Sequence, residues 1–304
     1  MKIHKNHQYQ IWGLILFSSF WGASVAVFAK FALQAFHPFT VTFIRFLCAT
    51  IFLLPFIHKR KEVSFAHLKQ FFSIALFGAL NPILFFIALQ FTTASASPFI
   101  YTGIPVMSVV YAYFLDKVIP STRQIAGIFL GLIGVGIIVL LPLFESNVPE
   151  NMILGNVLIF VAMISFSLYV LKSKKAQVEF GASAISLVFY FCVVALVFSF
   201  PFAIFEVKKY GVHDVQMSHI ISAMLTGLLG TVLNYLSYQH LLKKSSAMVA
   251  GAGSFLQPVI TVAMASVLLH ESVTTSLIFG GTLAIIGAIL ASIHKKDYET
   301  STTS

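Results

Sequence analysis

The 304-residue chain is 58% hydrophobic and only 10% charged, with a mean hydropathy of +0.92; a soluble domain carries roughly 25% charged residues, so a water-facing globule is excluded. The net charge of +9 could suggest nucleic acid, but its placement along the chain, described below, assigns it to membrane orientation instead. Two cysteines, Cys48 and Cys192, lie inside apolar runs and offer neither a disulfide framework nor metal-ligand spacing.

Long apolar runs predict ten helical spans at 11–33, 38–57, 69–91, 94–115, 122–142, 153–172, 182–205, 218–240, 246–269 and 273–294. At about 20 residues per crossing these are membrane helices, and their length argues against the shorter alternating strands of a barrel. The first run follows Lys2 and Lys5 but is too long for a signal-peptide core, so a retained helix is expected. With the N-terminus in the cytoplasm, the inner segments hold 15 basic residues, Lys59, Arg60, Lys61, Lys172, Lys174 and Lys175 among them. The outer segments hold only Lys208 and Lys209, while Lys30 and Arg45 fall within spans. That asymmetry is what the positive-inside rule expects of ten spans with both ends inside, and it gives the basic residues anionic inner-leaflet lipid to meet. The expected location is the cytoplasmic (inner) membrane.

Shifting the chain by 153 residues puts Asn81 on Asn234, Ala94 on Ala247, Pro105 on Pro258, Gly127 on Gly280 and Gly134 on Gly287. A shift of 142 puts Gly13 on Gly155 and Lys30 on Lys172. The expected fold is therefore an all-α integral membrane protein of two five-helix repeats, residues 1–142 and 153–296, followed by a short polar cytoplasmic tail at 297–304. Five is odd, so the second repeat would enter the membrane in the opposite sense, as in alternating-access transporters.

Several segments resemble the drug/metabolite transporter superfamily, in particular its EamA-type ten-helix members. They are Trp21-Gly22-Ala23-Ser24 followed by Lys30, His37-Pro38 through Ile44-Arg45-Phe46, Ala94-Ser95-Ala96 through Pro105, Ala247 through Pro258, and His270-Glu271. At the place equivalent to His270-Glu271 the first half reads Lys117-Val118, with the acid displaced to Asp116. The resemblance implies secondary transport of a small metabolite, often an amino acid moving outward, through a central cavity lined by both halves.

Polar residues within apolar spans mark candidate substrate-binding positions. Gly78 and Asn81 share one face of the third helix, and Thr231, Asn234 and Tyr238 share one face of the eighth. The amides of Asn81 and Asn234 can bind a polar substrate or another helix with equal ease. Tyr101, Ser254 and Gln257 extend the set on the fourth and ninth helices, where Pro105 and Pro258 are candidate hinges that free backbone carbonyls. Trp21 lines the cavity or packs. Arg45 attracts a substrate carboxylate or phosphate, holds helix-end carbonyls, or snorkels to the interface.

The sequence has no G-x-x-x-x-G-K-[ST] loop, H-E-x-x-H or nucleophile elbow, so neither an ATP-driven pump nor an enzyme is expected, and no metal or cofactor. The expected partners are a small-molecule substrate and membrane lipid, not nucleic acid, with the protein a monomer or homodimer. Two rivals to amino-acid export remain: import or exchange of an anionic or nucleoside-like metabolite, and a receptor or scaffold that carries no flux.

Overall fold

A computed structural model of the chain describes residues 2–60, 64–117, 119–140, 151–212, 214–245 and 252–292. The expected tail at 297–304, with Ala247 at the start of the ninth span, lies outside them. Every regular element among the described residues is helical. Large apolar side chains point outward, for example Phe129 in the fifth expected span and Phe198, Phe202 and Phe205 in and around the seventh, whereas Ser19, Thr226, Thr231 and Gln239 are fully buried. Polar inside and apolar outside is the pattern of a protein whose solvent is hydrocarbon.

The helices are α1 (Lys2–Ala32), α2 (Pro38–Arg60), α3 (Phe65–Gln70), α4 (Phe72–Ala88), α5 (Ala96–Tyr101), α6 (Ile104–Asp116), α7 (Thr122–Leu140), α8 (Met152–Glu179), α9 (Ala184–Tyr210), α10 (Met217–Gly227), α11 (Asn234–Lys244), α12 (Gln257–Leu268) and α13 (Thr275–Ser292). A π-helical turn, Leu228–Leu233, joins α10 to α11, and a 3-10 turn, Ala252–Phe255, precedes α12. Six segments are long and apolar enough to cross a membrane: Tyr9–Ala32, Pro38–His58, Thr122–Leu140, Met152–Glu179, Ala184–Tyr210 and Met217–Lys244. They coincide with the first, second, fifth, sixth, seventh and eighth expected spans.

The other four expected spans are shorter or broken. Ser64 caps α3 by accepting the His67 N–H at 3.1 Å, and the apolar third helix begins only at Phe72. The fourth span breaks at Thr102-Gly103, between α5 and α6, and in the ninth α12 follows the 3-10 turn. Pro105 and Pro258 stand at the second residue of α6 and α12, where a proline lacks no hydrogen bond that the helix would make. Both helices also end alike: Lys117 and His270, 153 positions apart, take the left-handed conformation at φ 57° and 54°. Neither is glycine, so each end is held in this shape by its surroundings.

α7 and α13 run antiparallel along a seam of glycines. A Cβ added to Gly127 would lie 2.7 Å from the Gly287 oxygen, and one on Gly287 would lie 2.7 Å from the Gly127 oxygen. Gly134 and Gly280 meet in the same reciprocal way, at 2.6 and 2.8 Å. Small residues let two backbones approach where lipid gives no hydrophobic drive to associate. Gly134→Val should therefore lower stability by about 3 kcal/mol through overpacking, read as a drop in the thermal unfolding midpoint in detergent. Gly136→Val, which points into open space, should stay within about 0.5 kcal/mol of the natural protein.

Candidate functional site

Where α1, α2, α4, α5, α8, α11 and α12 converge they leave a central cavity, bounded by Ser18 and Gly22 on α1, Arg45 on α2, Asn81 and Phe85 on α4, Tyr101 on α5, Phe166 on α8, Asn234, Tyr235 and Tyr238 on α11, and Gln257 and Thr261 on α12. α1 supplies small residues at this face, Gly22, Ala23 and Ala26, which let the other helices approach the centre. Thr261 hydroxyl donates to the Ala23 carbonyl at 3.0 Å and ties α12 to α1.

Arg45 is only 3% exposed. Its Nε donates to the Thr231 hydroxyl at 2.8 Å, and its guanidinium lies 5.4 Å from the Phe46 ring centroid and 5.3 Å from that of Phe86. Among the described residues no carboxylate pairs with it; the one ion pair found there is Lys175–Glu179 at 3.7 Å on the surface. The π turn explains the Thr231 contact. It adds a residue to the helix and swings Thr231 off the face that Asn234 and Tyr238 share, so the regular spacing that groups all three does not hold. Thr231 instead points at Arg45, and its hydroxyl donates back to the Thr226 carbonyl at 3.5 Å. Such turns are frequent at functional sites.

The two repeat-related asparagines differ in their surroundings. Asn81 Nδ2 donates to the Tyr101 hydroxyl and to the Ala162 carbonyl at 2.9 Å, while its oxygen accepts from the Tyr235 hydroxyl at 3.1 Å. Asn81 is thus the hub that fixes two tyrosines. The Asn234 side chain has no hydrogen bond to any described residue, and neither does that of Gln257. Both amides crowd against Gly22, where a Cβ would lie 2.8 Å from Gln257 Nε2 and 3.3 Å from Asn234 Nδ2. The Tyr238 hydroxyl is buried with no partner among the described residues. Phe166 sits among the tyrosines, with ring centroids 6.1 Å from Tyr101, 5.8 Å from Tyr235 and 5.6 Å from Tyr238.

Of the residues singled out from sequence, Arg45, Asn81, Tyr101, Asn234, Tyr238 and Gln257 border this one cavity. Trp21 does not; its ring packs against Phe20 at 5.0 Å and Phe17 at 6.1 Å. Ser254 stands on the 3-10 turn, and its side chain lies outside the described set. Pro105 and Pro258 begin their helices rather than bend them. Sequence reasoning missed Tyr235 and Phe166, aromatic residues in strongly apolar stretches that carry no signal of their own. Glu206 was not singled out either; it lies one residue past the expected span 182–205 and within α9.

Replacing Asn81 with Leu should cost about 3 kcal/mol, because two tyrosine hydroxyls and a carbonyl lose their partner together. Asn234→Leu breaks no bond and should change the unfolding midpoint little, by less than about 1 kcal/mol. Parallel thermal melts of the two variants in detergent check both.

The EamA-like transporter family model matches the chain twice, over residues 9–140 and 153–293. The chain is 27% identical over 265 residues to an uncharacterized transporter of Clostridium kluyveri, covering 84% of each chain. It is 25% identical to the uncharacterized transporter YetK of Bacillus subtilis, covering 90% of this chain and 84% of that one. An uncharacterized transporter of Archaeoglobus fulgidus is 26% identical over 93% of this chain and 85% of its own. A solved crystal structure superposes with a TM-score of 0.63 at 15% identity, covering 94% of this chain and 96% of the other, which is a likeness of fold. With its membrane-length apolar helices, the chain is a multi-pass integral membrane protein and a transporter rather than an enzyme. It belongs to the EamA-like transporter family.

Proposed function

We propose that the protein is a secondary transporter that moves a small polar metabolite bearing a carboxylate, an amino acid or a close relative, by exposing the central cavity to each side of the membrane in turn. The observation that carries this is Arg45. A buried guanidinium with a single hydrogen bond and no acidic partner among the described residues is costly unless an anion completes it. Its terminal amino groups suit a carboxylate held by two parallel hydrogen bonds. The free amides of Asn234 and Gln257 and the Tyr238 hydroxyl would then take the rest of a polar ligand, including an ammonium, which the faces of Phe166 and Tyr101 also favour.

Alternating access by two inverted five-helix halves is supported by the antiparallel α7–α13 seam, by the matching left-handed ends at Lys117 and His270, and by the two separate family matches. Ten spans with both ends in the cytoplasm, and outward movement of substrate, extend the same reading; the charge asymmetry supports the first and the family resemblance the second. Import of an anionic, nucleoside-like compound is the second reading, favoured by the aromatic wall of Phe85, Tyr101 and Phe166, on which a base could stack.

Proteoliposomes loaded with labelled amino acids, and in parallel with labelled nucleotides, separate the two readings by which solute shows saturable flux. Arg45→Ala should weaken that flux by about 2–5 kcal/mol in kcat/KM, the cost of removing one partner of a desolvated charge pair. Arg45→Lys should recover only part of it, because an ammonium cannot make the paired contact. A folded Arg45→Ala protein with undiminished flux would end this proposal.

A further inference from the structure

Two glutamates reach across the bundle and grip helix starts in the same manner. Glu206, on the last turn of α9, accepts the backbone N–H groups of Phe39 at 3.1 Å and Thr40 at 2.8 Å, and the Thr40 hydroxyl at 2.9 Å. Glu271, just past α12, accepts those of Ala94 at 2.7 Å and Ser95 at 3.0 Å, and the Ser95 hydroxyl at 2.7 Å. In each case one carboxylate takes two consecutive orphan N–H groups and the hydroxyl of the second residue, at the positive end of a helix dipole. Each acid lies after residue 153 and each recipient before residue 142, so both links join the two segments matched by the family.

Both links lie at one end of the bundle. Lys30, at the end of α1, lies in the electrostatic field of Glu271, and only residues 33–37 separate α1 from the start of α2 that Glu206 holds. The charge map assigns this end to the outside. Apolar and aromatic contacts beside Glu206 close the same seam: Phe39 stacks on Phe202 at 4.7 Å, and the His37 and Tyr210 rings lie 4.8 Å apart. The gripped helices are those that carry cavity residues. Thr40 is five positions before Arg45, and Ser95 is six before Tyr101.

We infer that Glu206 and Glu271 are paired latches of the outer gate, closed in this structure and released when the halves part. An ionic latch suits that task. Carboxylate and helix end are both satisfied by water once the seam opens at the membrane surface, so breaking the link exposes no group that must stay paired. A ligand pulling on Arg45 or Tyr101 acts on the same two helices. Through α2 and α5 the latches are positioning residues for the cavity. This inference rests on the proposed alternation of access.

The test measures how fast a cysteine in the cavity is reached. With Cys48 and Cys192 replaced by alanine and Ser97→Cys as reporter, a membrane-impermeant maleimide is added to right-side-out and inside-out vesicles. The Glu206→Gln/Glu271→Gln pair should speed labelling from the outer face by about tenfold, the scale of one charge-assisted hydrogen bond lost, and each single variant less. Labelling from the inner face should not rise. Unchanged rates on both faces, in variants whose thermal melts show a folded protein, would overturn the latch. So would a rise on both faces, which marks a loosened bundle, or a rise on the inner face alone. If the double variant does not fold, the single variants carry the same comparison. Flux is measured separately in proteoliposomes of the natural protein. If no solute moves there, the transport reading fails, while the labelling result still reads the latch.

Discussion

Inside hydrocarbon every backbone donor and acceptor must find its partner within the protein, and the rest of this structure follows from how that requirement is met. Unbroken helices meet it alone. At several of the points where the chain breaks or turns, a side chain from another helix takes the freed group. Ser19 donates to the Gly253 carbonyl beside the 3-10 turn at 2.9 Å. Asn156 donates to the Ile138 carbonyl near the end of α7 at 2.9 Å and accepts from the Thr92 hydroxyl at 2.5 Å. Lys174 donates to the carbonyls of Leu242 and Ser245 near the end of α11, at 2.5 and 2.7 Å. The glutamate links at the starts of α2 and α5 belong to the same class. Irregular backbone is thereby held in place, at Gly253 beside the central cavity and elsewhere away from it.

Against that background, the incompletely paired groups are informative. A buried polar group without a partner is uncommon and calls for a reason. The Tyr238 hydroxyl is buried with no partner among the described residues, Arg45 makes a single hydrogen bond, the half-buried side chains of Asn234 and Gln257 make none there, and all four border one space. Asn81, related to Asn234 by the repeat, is saturated by Tyr101, Tyr235 and Ala162. One of these two asparagines is bound into the framework, and the other has free hydrogen-bonding capacity. The π turn sharpens the division, because it exists in α10–α11 and not in the corresponding stretch of α4. It places Thr231 where Arg45 needs an acceptor.

Run length made the long helices legible in sequence, because a stretch such as Ala184–Tyr210 is too apolar to be anything else. Hydropathy does not register a broken helix, so the interruption at Thr102-Gly103 and the 3-10 turn before Gln257 were invisible. Pro105 and Pro258 did mark the neighbourhood, but proline at the second position of a helix and proline at a kink look alike in sequence. The face shared by Asn234 and Tyr238 followed from ordinary helical spacing. Thr231 did not obey it, since no residue pattern announces a π turn. The partners of Glu206 and Glu271 lie on helix starts more than 160 residues away in the chain, and no local signal connects them.

The glycine seam carries one more implication. The contact of Gly127 with Gly287, moved along the chain by 153 in one direction for each partner, becomes the contact of Gly280 with Gly134, and both are observed. A surface that maps onto itself in this way is isologous, the kind by which two identical subunits pair about a two-fold axis. The last helix of each half is therefore self-complementary. A polypeptide ending at Leu140 would already present half of a symmetric dimer interface, and its natural mate would be a second copy inserted upside down.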